Sequence, residues 1–276
     1  MKRNHFIKTL AMGSIAASVA PQASSAKPSP VADDEPLRVE MASYTLRKYS
    51  IDELIEISLR LNIKDIALKS FHLPYEAKKE ELQYIMSKLK ARGLNVYGGG
   101  VIYMKTPDDV EKYFTYAQNA GLPMIIGAPE HQLLKQVENK VKETGIRLAI
   151  HNHGPEDKIF PSPESVYNEI KNLDSRIGLC IDLGHTFRLN LDPAQEVKKY
   201  KDRLFDVHLK DMDKQAPDGK PVEIGRGKMD IPSILKALKE IKYTGTIGIE
   251  YEKDAEHAAY GLTESVGYVR GVLRMI

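Results

Sequence analysis

Four stretches of this chain alternate like β-strands, and each ends in a side chain able to hold a divalent metal ion. Residues 148–153 (LAIHNH) carry His151, 178–185 (GLCIDLGH) carry Asp182, 205–211 (FDVHLKD) carry His208, and 247–252 (IGIEYE) carry Glu250. Two imidazoles and two carboxylates make a mixed nitrogen and oxygen set. Such a set suits Mn²⁺, Zn²⁺, Co²⁺ or Fe²⁺ better than Ca²⁺. It also leaves open positions for two neighbouring oxygens of a substrate. The four residues are spread between positions 151 and 250. Only a fold that gathers strand ends at one place unites them.

Side chains alternate across a strand, so the two faces can be sorted. Phe205, Val207 and Leu209 share one face; Asp206, His208 and Lys210 share the other. Leu179, Ile181 and Leu183 oppose Gly178, Cys180 and Asp182, and Leu148 and Ile150 oppose Ala149, His151 and His153. Ile247, Ile249 and Tyr251 oppose Gly248, Glu250 and Glu252. The bulky faces are expected against helices and the other faces inside a barrel. Every ligand then sits near the C-terminal end of its strand, where barrel enzymes keep their active sites. Taken singly, each residue has a blander reading. A strand-end His is commonly a satisfied structural group, Asp206 and Asp211 could cap helices or pair with cations, and Glu252 could face solvent. Four matching parities favour one metal site.

The elements that must position these residues alternate regularly from residue 36. Strands are predicted at 38–43, 65–70, 95–103, 124–127, 147–153, 177–183, 204–210 and 246–252. Helices are predicted at 51–61, 75–92, 107–120, 131–142, 163–172, 193–199, 231–239 and 263–273. Ser50 with Glu53 forms a capping box, and Ser162-Pro163 and Asp192-Pro193 put proline in a first helical turn. Gly93, Gly121 and Gly145 stand where left-handed helix ends belong. Eight β-then-α units point to an α/β fold, a (β/α)8 TIM barrel forming a single domain over 36–276. An open doubly wound sheet would carry a glycine-rich phosphate loop after its first strand. Here Tyr44 to Tyr49 contains no glycine, and Gly98-Gly99-Gly100 falls inside the third strand, where it allows close packing or a bulge.

The chain has 276 residues, 42% hydrophobic and 28% charged, with 40 basic against 38 acidic side chains. That balance speaks against nucleic acid or an anionic membrane as partner. A single cysteine, Cys180, excludes an intrachain disulfide and a cysteine-rich zinc site. It reads as a small buried apolar residue without a catalytic role. Residues 1–26 read as a secretory signal peptide. Lys2, Arg3 and Lys8 precede a short apolar run, and Ser24-Ser25-Ala26 supplies small residues at a cleavage site. The run is too short for a stable membrane anchor. Residues 27–35 (KPSPVADDE) read as a linker. Secretion or a periplasmic location is the resulting expectation.

The segments 67–74 (ALKSFHLP), 182–185 (DLGH), 207–211 (VHLKD), 225–230 (GRGKMD) and 243–250 (YTGTIGIE) resemble the xylose-isomerase-like TIM barrels, the sugar phosphate isomerase/epimerase superfamily. The resemblance implies that Asp182, His208 and Glu250 bind metal and that His185 and Arg226 contact substrate. It implies that Lys69, His72 and Lys210 reach the pocket. The strand-five position of the family usually holds a glutamate; His151 stands there instead, which puts a two-glutamate epimerisation in doubt. The implied chemistry is deprotonation of a carbon beside a sugar carbonyl, with a divalent metal stabilising the enediolate. Glu250, Lys210, His185 and His153 are the candidates for proton transfer. Secretion favours a neutral sugar, glycoside or keto-glycoside over a phosphorylated sugar. With the missing glutamate it shifts the reading toward elimination, a lyase; isomerisation or epimerisation is the alternative, and a non-catalytic sugar-binding barrel a remoter one. Phosphodiester cleavage needs further His and Asp ligands, and Gly98–Gly100 and 225–230 lack the His. Assembly into a homo-oligomer stays open. Removal of residues 1–26 is expected to leave a folded soluble protein; insolubility of the shortened chain would show that the tail belongs to the fold.

Overall fold

Strands whose small and polar residues all fall on one face can close on themselves, because that face needs little room. The computed structural model describes residues 37–276 and shows this closure. The expected leader and linker lie outside the described residues. The strands are β1 (Arg38–Ala42), β2 (Asp65–Leu68), β3 (Asn95–Met104), β4 (Met124–Pro129), β5 (Arg147–His151), β6 (Ile177–Asp182) and β7 (Leu204–Leu209), then a ribbon of β8 (Asp211–Met212) and β9 (Pro221–Val222), and last β10 (Thr246–Ile249). The order β1-β10-β7-β6-β5-β4-β3-β2 is closed, and all its neighbours are parallel. Closure leaves no unpaired edge and excludes the open doubly wound sheet. The helices are α1 (Ile51–Arg60), α2 (Lys79–Ala91), α3 (Pro107–Ala120), α4 (Leu134–Thr144), α5 (Pro163–Ile170), α6 (Leu183–Arg188), α7 (Pro193–Lys199), α8 (Ile231–Glu240) and α9 (Ala258–Leu273).

The capping box at Ser50 and Glu53 is present on α1, and such a cap is worth about 1 kcal/mol. Gly93, Gly121 and Gly145 all take positive φ. The main core lies between strands and helices. Leu148, Ile150, Leu179, Ile181, Val207, Leu209, Ile247 and Ile249 join it with Phe114 and other helix residues. A second, smaller cluster of Ala67, Val101, Met124, Ile126, Ala149 and Cys180 fills the barrel itself. The two faces therefore sort as the alternation requires, with one exception. β7 bulges opposite β6, since Leu204 pairs with Leu179 while Asp206 pairs with Cys180. The extra residue, Phe205, leaves the helix-facing set and packs on the inner cluster, with the Arg147 guanidinium 3.8 Å from its ring centre.

β3 bulges against β4 between Gly99 and Ile102. At Gly100 φ is +146°, and a Cβ there would lie 1.9 Å from the Ile126 carbonyl oxygen. Gly100→Ala is therefore expected to destabilise the protein by more than about 2 kcal/mol, measured by urea unfolding. An unchanged midpoint would mean that the bulge relaxes freely.

Candidate active site

His151 closes β5, and Asp182 closes β6, where it also caps α6: its Oδ1 accepts the His185 N–H at 2.8 Å. One carboxylate oxygen thus anchors a helix while the other is turned into the barrel mouth. Asn152 locks this corner, accepting the Asp182 N–H at 3.0 Å and reaching Thr186 Oγ1 at 3.3 Å. His208 pairs in register with Asp182, and Glu250 follows β10 with its N–H bonded to Leu209 O. The four donors come together, all buried, with ligand atoms within 4.8 Å of one another. His151 Nε2 lies 3.1 Å from His208 Nδ1 and 3.3 Å from Asp182 Oδ2, and His208 Nδ1 lies 3.3 Å from Glu250 Oε2. With bonds of about 2.0–2.1 Å, a tetrahedral ion separates its ligands by about 3.3 Å. The spacing therefore fits a first-row divalent ion.

Charge points the same way. Asp182, Asp206 and Glu250 are buried here, against one buried ammonium, Lys210. Its Nζ lies 2.9 Å from Asp182 Oδ2 and 2.8 Å from Glu250 Oε2, and it also bonds Glu252. Asp182 Oδ2 nonetheless makes no well-aligned hydrogen bond. Burial alone would raise both carboxyls, but Lys210 and the imidazoles hold Asp182 and Glu250 well below the usual carboxylate range. Burial also opposes the charge on His208, yet Glu250, Asp206 and Asp182 raise its pKa. Burial lowers His151 and His185 to about 4, and burial with the adjacent His151 lowers His153 to about 3.

Of the proton-transfer candidates, His153 and His185 flank the cluster. The His153 ring is 4.4 Å from that of His151, and the His185 ring is 6.0 Å from that of His153. His153 Nε2 meets the Tyr103 hydroxyl at 2.7 Å, and its Nδ1 faces Asp157 at 3.3 Å. Lys210, a candidate base, is buried among three carboxylates, which raise its pKa well above the usual lysine value against the effect of burial. Its stem explains Gly184, where a Cβ would lie 2.3 Å from Lys210 Cγ.

Two expected substrate contacts have partners within the chain. His72 spends both ring nitrogens on structure, at 3.1 Å from Ser43 Oγ and 3.0 Å from Tyr49 O, and is buried. Arg226 lies exposed and forked onto Glu264. Its loop is held by Asp211, whose carboxylate accepts N–H groups of Gly225, Gly227 and Met229. The 225–230 motif is thus a strap fastened by Asp211. Lys69 is bonded to Val101 O, with Nζ 5.9 Å from the centre of the exposed Tyr103 ring. Sequence reasoning missed Tyr103, Asn152, Glu252 as a Lys210 partner, and helix α6. An N-cap aspartate at 182 was the available signal for α6.

The profile of the family described as xylose isomerase-like TIM barrel matches residues 132–271, half of the chain. The chain belongs to this family. Relatives of this xylose isomerase-like barrel include the inosose dehydratase of Lacticaseibacillus casei, 25% identical over 145 residues, 45% of this chain and 47% of that protein. The chain spans less than half the length of the curated relatives it matches first. Two solved structures share its fold. One is an IOLI protein with a bound zinc atom, with TM-score 0.74 and 13% identity, covering 87% of this chain and 99% of that one. The other is the 3-keto-D-glucoside 4-epimerase of E. coli, with TM-score 0.71 and 14% identity, covering 85% and 99%.

His208→Ala is expected to abolish stoichiometric metal binding with little unfolding, read by metal analysis after dialysis. Full occupancy in that variant would remove His208 from the ligand set.

Proposed function

We propose that this chain is a metal-dependent carbohydrate enzyme that deprotonates the carbon beside a sugar carbonyl and then eliminates a β-substituent from a keto-glycoside. The observation that carries this reading is the buried four-donor cluster, whose carboxylate charge exceeds its fixed cationic charge. Relatives that include an inosose dehydratase support it. His151, Asp182, His208 and Glu250 would hold the ion, with Mn²⁺, Zn²⁺, Co²⁺ and Fe²⁺ the candidates. When bound, a divalent ion supplies Lewis-acid polarisation of the carbonyl oxygen.

The chain's own residues divide the remaining work. Lys210, held by Glu252, keeps a positive charge beside the reacting oxygen and steadies the anion that develops there. His153 and His185 flank the cluster and would be the groups that take the proton from carbon, although burial makes each a weaker base than a free imidazole. The electron pair of the broken C–H bond forms the enolate, whose collapse breaks the bond to the β-oxygen. The imidazolium returns its proton to that leaving oxygen. Glu250 is the less available base, because His208 and Lys210 already engage it. Export of the protein, proposed from the N-terminal sequence, would present it with glycosides rather than sugar phosphates.

Isomerisation or epimerisation is the second reading, favoured by the epimerase neighbour. A sugar-binding barrel without turnover is the third. The test is incubation with keto-glycosides and Mn²⁺ in D₂O, followed by mass spectrometry. Loss of the substituent is expected in the product, with deuterium at the carbon beside the carbonyl in recovered substrate. His153→Gln and His185→Gln should keep the metal, and one of them should lose at least about 100-fold in rate. A product of unchanged substituent mass would mean isomerisation, and binding without any exchange would mean a sensor.

A further inference from the structure

We propose that Asp206 is the positioning residue for His208: its carboxylate accepts the Nε2–H of the ring and so keeps Nδ1 turned, lone pair outward, toward the ion held with His151, Asp182 and Glu250. This rests on the metal-site reading above.

His208 presents its two ring nitrogens to opposite surroundings. Nδ1 belongs to the donor cluster, 3.1 Å from His151 Nε2 and 3.3 Å from Glu250 Oε2. Nε2 faces Asp206 Oδ2 at 3.5 Å. That separation is longer than a formed hydrogen bond, and neither His208 Nε2 nor Asp206 Oδ1 has another partner. His208 Nε2 therefore keeps unused bonding capacity beside Asp206 Oδ2, which also accepts the Cys180 thiol.

Asp206 lies two residues before His208 on the same inward face of β7. It is fully buried, beside Cys180 on β6 and Thr246 on β10. Among the described residues no lysine or arginine pairs with it. Its one hydrogen bond from a side chain is the Cys180 thiol, which donates to Oδ2 at 3.4 Å. A carboxylate placed this deep without a cation costs stability. A structural aspartate would carry full pairing, whereas this one is aimed at the far nitrogen of a candidate ligand. Carboxylates in that position fix the tautomer and orientation of metal-binding imidazoles, and losing one costs about 10- to 100-fold in affinity. Cys180, which has no place in the catalytic set, gains a reason to stand at the barrel centre: it holds Asp206 Oδ2 at the correct side.

The test titrates the full, metal-stripped protein with Co²⁺ and Zn²⁺ against a chromophoric chelator, and follows thermal unfolding of the metal-free forms. Asp206→Asn is expected to weaken binding by about 10- to 100-fold and to change the visible spectrum of bound Co²⁺. Its metal-free form should unfold at the same or a higher temperature than the parent, since a buried anion is removed. That opposition of sign is what a purely structural role would not produce. Tyr97→Phe removes a neighbouring buried hydroxyl that has no partner and should leave affinity unchanged. If Asp206→Asn does not fold, Cys180→Ala decides, with a smaller but measurable loss of affinity expected. Wild-type affinity in the folded variants would overturn the inference while leaving the metal site intact. A parent protein that binds neither ion would overturn the metal site and this inference together.

Discussion

A surplus of buried carboxylates along three neighbouring strands is the constraint on which the rest of the structure turns. Asp182, Asp206 and Glu250 are withdrawn from water inside the barrel, and Lys210 is the one lysine set among them. Burying unbalanced charge is costly, and it persists only where something compensates for it. Lys210 supplies part of that compensation and the charge drawn onto His208 supplies more. The converging lone pairs of His151, Asp182, His208 and Glu250 describe what completes it. Stability and function conflict here in the usual way. The anions that weaken the metal-free core are the groups that make the site bind.

The surrounding fold gives each of these side chains a single direction. Asp182 is divided between a helix cap and the cluster, so α6 cannot shift without moving a ligand. Asn152 and Thr186 hold the backbone of the same corner. Gly184 makes room for the stem of Lys210, and the loop strapped by Asp211 closes the side next to it. Several of these contacts join residues distant in sequence; three of the four donors sit on strands, and Glu250 follows β10 directly, its N–H bonded to Leu209 O. A constellation carried on strand ends holds its spacing better than one carried on flexible connections.

Three side chains expected at the pocket, His72, Arg226 and Lys210, each have a partner that no local pattern reveals. His72 is bonded to Ser43 and Tyr49, Arg226 to Glu264, and Lys210 to three carboxylates from two other stretches. A motif preserves the identity of a polar residue, but its hydrogen-bonding capacity is spent in space. Phe205 departs from its expected face for a related reason: a one-residue bulge inverts parity, and bulges are set by how two strands pair.

From the sequence alone, the alternation of bulky and small residues determined the eight-stranded barrel, its inner and outer faces and the four candidate ligands. Those properties follow from periods of two and 3.6 residues, which are local and additive along the chain. The tertiary structure decided everything that depends on distance between strands. It brought His151 within 3.1 Å of His208, set Lys210 between two carboxylates, and left Asp206 facing the far nitrogen of His208. Register, bulges and barrel closure fix those separations, and none of them is encoded within a single strand.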